Sequence, residues 1–368
     1  MGLVLDDLYH FRGGGAADPY YHDLEVRVMK KLLLSGIILW LVVIITLVSV
    51  MMIGMRGGFA AVWGEKRILK NERISSDGLR NIMIESASTG IELIKTSGSE
   101  LKITQYSTKE LSEESLFTVE QNGDTVKIKI ELHWRHLIFN INFDDKLVVE
   151  IPDDWNGNVK ADAGSGGIKV GDPFHWQAIE FKATSGGINI NEKLDADNLT
   201  FKASSGGIRA KAGLAAKEKL SANATSGGIR LEGNIKADEV AFSTSSGGIN
   251  LGEIETKKYD IHATSGGIHV AGISGGGSVK SSSGGIHITL KEPEGDINVA
   301  ATSGGIRILI DESLKFGFTA KTTSGGIKTD FATHKNSGDH NVTALIGEDP
   351  SVNINVKASS GGIQVRYE

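Results

Sequence analysis

The second half of the chain repeats one pattern, an isoleucine that follows Ser-Gly-Gly about every twenty residues. Successive repeats lie 18 to 21 residues apart, except for a last gap of 36 residues. A repeat at this period is typical of a solenoid, in which each unit buries its apolar face against its neighbours. The repeated isoleucines are Ile168, Ile188, Ile208, Ile229, Ile249, Ile268, Ile286, Ile306, Ile327 and Ile363.

Apolar and polar residues alternate on both sides of each isoleucine, which indicates short β-strands. Apolar columns lie nine residues before it, with Gly277 as the one break, and two residues after it; a mostly alanine column lies five before it. A further apolar position recurs later in the period, as at Leu194 and Ile235. We therefore predict an all-β fold, a β-solenoid like a parallel β-helix, with three inward-facing segments in each rung. The alternative is a chain of β-hairpins with Ser-Gly-Gly as tight turns.

The glycine pair of each motif suits a sharp turn of the backbone between two strands. Glycine adopts φ > 0 without a Cβ clash, so a pair of glycines permits a sharp corner between two strands. At about 4.8 Å for each stacked strand, ten such rungs would make a rod roughly 50 Å long.

Two β regions follow from these patterns. We assign residues 161–368 to the regular solenoid, with an insertion near 330–350 in the long last gap. Residues 78–160 alternate less regularly and contain Asn122-Gly123-Asp124, a strong hairpin signal. We predict that they form an irregular β cap on the open end of the stack.

A single hydrophobic segment precedes the β regions. Residues 32–55 are 24 residues without a charge, long enough for a transmembrane helix and too long for a cleaved signal peptide. We predict a cytoplasmic tail at residues 1–31, a linker at 56–77 and an extracytoplasmic C-terminal domain. Lysine and arginine flank both ends of the segment, so their count alone does not decide the orientation. Met29 is an alternative start, because Met29-Lys30-Lys31 resembles the beginning of a signal anchor.

Composition excludes several classes of protein. The chain has no cysteine, which rules out disulfides and thiolate metal sites and suits a bacterial protein outside the cytoplasm. The 47 glycines come with only 5 prolines and lack the three-residue period of collagen. A net charge of −6 gives no indication of a nucleic-acid partner.

Outward-facing positions beside the motif are rich in cations. The residue after each isoleucine is basic in seven of ten repeats, and the residue six before it is lysine in five, whereas acids concentrate in the third segment. We interpret the cations as a basic stripe that binds an anionic polymer; a solvated strand face on which cations discourage edge pairing is the alternative. The candidate residues are Lys169, Arg209, Arg230, His269, His287, Arg307, Lys328, Lys182, Lys202, Lys280, Lys321 and Lys357.

Catalytic and metal-binding patterns are missing from the sequence. The acids do not form an in-register pair beside an aromatic platform, as a polysaccharide-cleaving solenoid would need. The turns lack the aspartate of calcium-binding β-rolls. His269 and His287 share a column without a third ligand. We expect no enzyme activity, no metal site and no cofactor.

Ser-Gly-Gly-Ile turns after a signal anchor resemble the bacterial putative-adhesin domain family of unknown function, which includes LiaG-like proteins encoded beside envelope-stress genes. The resemblance covers residues 78–368 and implies a membrane-anchored envelope protein, without catalytic residues to transfer. The sequence thus leaves two hypotheses open. One is a surface module that binds an anionic wall polymer such as teichoic acid, or another anionic surface. The other is a structural or signalling scaffold that contacts a membrane protein partner.

Overall fold

The computed structural model describes residues 66–131, 145–335 and 340–368, which belong to one compact unit, Lys66–Glu368. The predicted tail at 1–31 and the predicted transmembrane helix at 32–55 lie outside the described residues. Within those ranges, no helix has both the length and the apolar character needed to cross a bilayer.

The described residues form strands and one short 3₁₀ helix, Glu113–Ser115, as the all-β prediction requires. The strands before the regular repeat are β1 (Arg67–Ser75), β2 (Asn81–Ser86), β3 (Gly90–Thr96), β4 (Glu100–Ser107), β5 (Thr118–Asn122), β6 (Thr125–Ile130) and β7 (Lys146–Pro152). Those of the repeat are β8 (Asn158–Ala163), β9 (Ile168–Val170), β10 (Phe174–Ala183), β11 (Ile188–Ile190), β12 (Leu194–Ala203), β13 (Ile208–Ala210), β14 (Leu214–Ala224), β15 (Ile229–Leu231), β16 (Ile235–Thr244), β17 (Ile249–Ala263), β18 (Ile268–Ile273), β19 (Gly276–Ser281), β20 (Ile286–Leu290), β21 (Ile297–Ala301), β22 (Ile306–Ile310), β23 (Phe316–Ser324) and β24 (Ile327–Thr329). The last four are β25 (His334–Lys335), β26 (Asn341–Ile346), β27 (Asn353–Ser360) and β28 (Ile363–Tyr367).

Equivalent strands of successive repeats pair in parallel and in register, which is the pattern of a solenoid and not of hairpins. We call the strand segment before Ser-Gly-Gly face A, the segment that starts at the motif isoleucine face B, and the third segment face C. On face A, Ile179 lies opposite Leu199. On face B, Ile188 lies opposite Ile208, and on face C, Leu194 lies opposite Leu214. The three inward-facing segments predicted for each rung are therefore present.

The core is a set of apolar columns that run along the axis. The motif isoleucines of the inner rungs are at most 2% exposed, and burying each one contributes roughly 2 kcal/mol. Larger rings stack on face A, where Phe181 and Phe201 have centroids 5.8 Å apart. Gly277 breaks its apolar column for a steric reason, since a Cβ there would overlap Tyr259, its partner in the neighbouring strand.

The motif glycines require a different explanation from the predicted one. Of these glycines, only Gly325, with φ of 131°, lies in the left-handed region, so positive φ does not account for the motif. A Cβ on the first glycine of a motif would instead overlap backbone atoms of the adjacent rung. For Gly206 the overlapping atom is the Gly186 carbonyl oxygen, only 2.2 Å away. The first glycine is present because the corners stack too closely for a side chain.

Hydroxyl groups replace alanine at some corners and bond to the turn. In the column five residues before the isoleucine, Thr244 accepts a hydrogen bond from the Gly247 N–H at 3.1 Å and donates one to the Gly227 carbonyl at 3.0 Å. Ser281 makes the equivalent bonds to Gly284 and Gly266. These buried hydroxyls join a corner to its neighbouring rung.

Rung order departs from chain order at both ends. Strands β2 and β3 lie between β6 and β7 on one side and β8 and β9 on the other. At the other end, β27 and β28 are inserted between β21 and β22 on one side and β23 and β24 on the other. At the N-terminal end the chain thus forms the inner rung before the outer one, and at the C-terminal end it forms the outer rung first and then returns to complete the inner one.

Antiparallel strands cover these ends. Strand β4 pairs with β7, β5 pairs with β6, and β26 pairs with β23. Strand β26 falls in the segment 330–350 that the sequence marked as an insertion, and β1 falls in the segment 56–77 predicted as linker. These strands occupy the outer edges of β7, β6 and β23, so other chains cannot pair with those three strands.

The two glycines of one corner should respond differently to alanine. We expect G304A to destabilise the fold by about 3 kcal/mol, because its methyl would overlap the Gly284 carbonyl. In G305A the methyl would lie 3.5 Å from the Gly362 carbonyl oxygen, an ordinary contact, and stability should change by less than about 0.5 kcal/mol. Urea unfolding followed by circular dichroism measures both. Equal losses would show that close stacking of the first glycine is not the constraint.

Candidate functional site

The residues that follow the motif isoleucines form one column on face B, because each lies opposite its counterpart in the next rung. Most of them are exposed, and His287 and Gln364 are half-buried. The inserted last strand changes the order, so that Gln364 separates Arg307 from Lys328. Along the axis the order is Lys169, Asn189, Arg209, Arg230, Asn250, His269, His287, Arg307, Gln364 and Lys328.

A shallow groove follows this column, and we call it the face B groove. Its floor consists of the second glycines and isoleucines of the motifs, and its wall consists of the column residues. One stretch of about 610 Å³ extends from Asn189 to Gly285. A second, of about 490 Å³, continues from Gly285 to Lys328. The second glycines leave the groove open because they place no side chain over its floor.

Acids neutralise the cations in the N-terminal half of the face B column. Lys169 pairs with Glu92 at 2.7 Å, and Lys146 pairs with the same carboxylate. Glu232 lies 3.0 Å from Arg209 and 3.8 Å from Arg230. The cations of this stretch therefore already have counter-charges.

Neither of these two acids is among the candidate residues predicted from the sequence. Glu232 comes two residues after Arg230, so the alternation of the strand already places both side chains on the same outward side. Glu92 follows Ile91 in a degenerate motif, Ser88-Thr89-Gly90-Ile91, in which threonine replaces the first glycine.

The C-terminal stretch has a different charge balance. Its lining contains His287, Arg307 and Lys328 and no acid. Arg307 Nε donates a hydrogen bond to Gln364 Oε1 at 3.2 Å, and among the described residues neither Arg307 nor Lys328 lies within 4.0 Å of a carboxylate. This stretch is a concave surface with uncompensated positive charge.

Two histidines stand at the junction of the stretches. The rings of His269 and His287 meet edge to face with centroids 5.0 Å apart. Burial lowers the pKa of His287, and the charges of His269 and Arg307 lower it further. In the part of the chain that the structure describes, no group of three or more histidine, aspartate or glutamate side chains is arranged to hold a metal ion.

The lysines six residues before the isoleucines lie on face A, across the Ser-Gly-Gly corner from the face B groove. The structure thus separates the predicted basic stripe into two columns. Near the N-terminal end, Lys182 pairs with Asp162 at 3.0 Å, and Lys202 approaches Glu180 at 3.4 Å. Hydrogen bonds from Lys160 and Lys202 lower the pKa of Glu180. Near the C-terminal end the column contains Lys280, Lys357 and Lys321.

Face C is rich in acids, and several of them are paired with lysine. Lys236 lies 2.5 Å from Glu255, and Lys257 lies 2.9 Å from Asp238. These pairs border an alanine-floored depression of about 740 Å³. Because its charges are mixed, this surface has no strong preference for an anion or a cation.

The stacked parallel rungs and the repeated corner agree with a known family. The Toastrack DUF4097 family matches residues 79–233 and again residues 204–366. The chain belongs to the Toastrack family. No curated protein sequence matches the chain.

Several solved structures are similar to this chain at low sequence identity. A "putative adhesin" from Parabacteroides distasonis is 14% identical, with a TM-score of 0.43, over 82% of this chain and 98% of that one. A "putative adhesin" from Bacteroides fragilis is 13% identical, with a TM-score of 0.37, over 82% and 98%. A "putative lipid binding protein" from P. distasonis is 14% identical, with a TM-score of 0.34, over 82% and 97%. These similarities are too low to transfer a ligand or a site residue to this Toastrack chain.

Replacing His287 should reduce the pH dependence of stability. Its folded-state pKa is lowered, so the unfolded chain takes up the proton first as the pH falls. The wild type should therefore lose stability as the pH falls below about 6.5, the pKa of a free imidazole. In H287N this loss should be smaller, as measured by urea unfolding at pH 7.5 and 5.5. An unchanged slope would contradict the assigned burial effect.

Proposed function

We propose that this Toastrack protein is a membrane-anchored, non-enzymatic surface module, adhesin-like in its role, that binds an anionic polymer of the cell envelope along the face B groove. The observation that carries the proposal is the C-terminal stretch of that groove, from Gly285 to Lys328, whose cations Arg307 and Lys328 form no ion pair among the described residues.

Stacking supports a ligand of repeating structure. Adjacent strands lie about 4.8 Å apart, so cations in neighbouring positions of the column repel one another unless a counter-charge lies between them. The N-terminal half of the column has such counter-charges in Glu92 and Glu232. In the C-terminal stretch Gln364 separates Arg307 from Lys328, and a linear polyanion along the axis would supply a counter-charge to each of these two cations.

The position of the protein in the cell is part of the same proposal. The uncharged segment at residues 32–55 would anchor the chain in the membrane, and the β unit would extend on the extracytoplasmic side. A chain without cysteine is suited to that location. The face B groove would then be open to wall polymers.

Removal of two groove cations should weaken polymer binding. We expect R307Q/K328Q to bind fluorescent poly(glycerol phosphate) about tenfold or more weakly than the wild-type full chain, because two charge-assisted contacts are lost. Affinity of the wild type should also fall with added salt, because charges at an exposed surface are screened. Fluorescence anisotropy of the chain in neutral detergent measures both.

The matched control is K236Q/K257Q, which removes the same charge from face C, where both lysines are paired with acids. It should bind the polymer within about twofold of the wild type. Equal weakening in both double variants, or none in either, would contradict binding in the face B groove. Circular dichroism melting shows that the variants are folded.

A further inference from the structure

A second basic site lies on face A of the last rungs, where the returning strand β27 brings two lysines together. Lys357 in β27 lies directly opposite Lys321 in β23. On its other side, Lys357 lies opposite Ala300 in β21, and Ala300 lies opposite Lys280 in β19. All three lysines are exposed. Lys280 and Lys357 flank one small residue, Ala300, and Lys321 lies beyond Lys357.

The small side chain of Ala300 leaves a cup of about 210 Å³, which we call the face A cup. Ala300, Lys321 and Lys357 line it. Three hydroxyl side chains also line it, since the position two residues further along each strand is Ser or Thr: Thr302, Thr323 and Ser359. Ammonium and hydroxyl donors therefore converge on one depression.

Charge compensation distinguishes this cup from the rest of face A. Further along the column, Lys160 and Lys182 pair with Glu180 and Asp162. No acid lines the cup, and among the described residues no carboxylate forms an ion pair with Lys280, Lys321 or Lys357. Two adjacent lysines about 4.8 Å apart without a counter-charge are unfavourable, and a bound anion between them would remove this cost.

We propose that the face A cup binds a phosphate group, as a monoester or a phosphodiester. A tetrahedral phosphate presents several acceptor oxygens in different directions, which suits two or three rotatable ammonium groups and three hydroxyl donors. A carboxylate has only two oxygens in one plane and would leave some of these donors without a partner. This inference rests on the proposed binding of an envelope polyanion and identifies its charged group as phosphate.

Three variants test the cup in the full chain. K321Q/K357Q should weaken binding of a synthetic glycerol-phosphate hexamer about tenfold, measured by calorimetry in neutral detergent. K160Q/K182Q removes the same charge from the compensated part of face A and should change affinity less than about twofold. A300V adds two methyl groups to the cup without changing charge, on a strand that favours valine, and should also weaken binding severalfold.

A second set of measurements compares different anionic ligands. An oligogalacturonate of equal length carries carboxylates, and it should bind less tightly than the phosphate hexamer, with little change in A300V. Flotation with phosphatidylglycerol vesicles, compared with phosphatidylcholine vesicles, tests a lipid headgroup as the phosphate source. If K321Q/K357Q lost binding to the phosphatidylglycerol vesicles but kept binding to the hexamer, the phosphate would belong to a lipid headgroup.

Three outcomes would contradict phosphate binding in the face A cup. They are equal weakening of hexamer binding by K160Q/K182Q, no effect of A300V on hexamer binding, or equal affinity for the phosphate and carboxylate oligomers. Loss of binding in R307Q/K328Q with wild-type binding in K321Q/K357Q would remove the cup and leave the face B groove intact. Loss in K321Q/K357Q with none in R307Q/K328Q would place the polyanion on face A instead.

Discussion

Close stacking of the Ser-Gly-Gly corners is the constraint on which the other features depend. At each corner the backbone hydrogen bonds continue from rung to rung; the Ile188 N–H, for example, donates to the Gly207 carbonyl at 3.0 Å. This contact leaves no room for a Cβ on the first glycine. With the corners fixed in register, the isoleucines that follow must stack, and their columns become the core. Loss of one corner would therefore disturb the pairing of both faces that meet there.

The same register arranges the outward-facing side chains in columns along the axis. Because every rung repeats the inward and outward parity, a cation at one position in the sequence unit becomes a column in the structure. Whether such a column is a binding surface depends on its neighbours. Glu92 and Glu232 turn the N-terminal half of the face B column into an ion-paired surface, whereas Arg307 and Lys328 form no ion pair among the described residues. The two candidate sites, the face B groove and the face A cup, both use the C-terminal rungs for this reason.

The ends of the solenoid combine protection with site formation. Return of the chain through β27 and β28 places the last sequence repeat inside the stack, and the β23–β24 rung becomes terminal. Strand β26 then covers the edge of β23. The inserted strands also bring Lys357 beside Lys321 and Gln364 beside Arg307. The strand insertion that closes the stack thus also decides which side chains lie next to each other on its last rungs.

The sequence by itself determined the solenoid, its three faces and the identity of the outward columns, because a period of about twenty residues and strict alternation depend only on local chain geometry. It did not reveal why Gly206 and its equivalents are glycine, since the overlapping atoms belong to another rung. Nor did it reveal the order of rungs at the ends or the acids that neutralise Lys169 and Arg209. Those depend on contacts between residues distant in sequence, up to 77 positions for Glu92 and Lys169. Only the tertiary structure, by stacking one rung on another, decided which cations remain uncompensated.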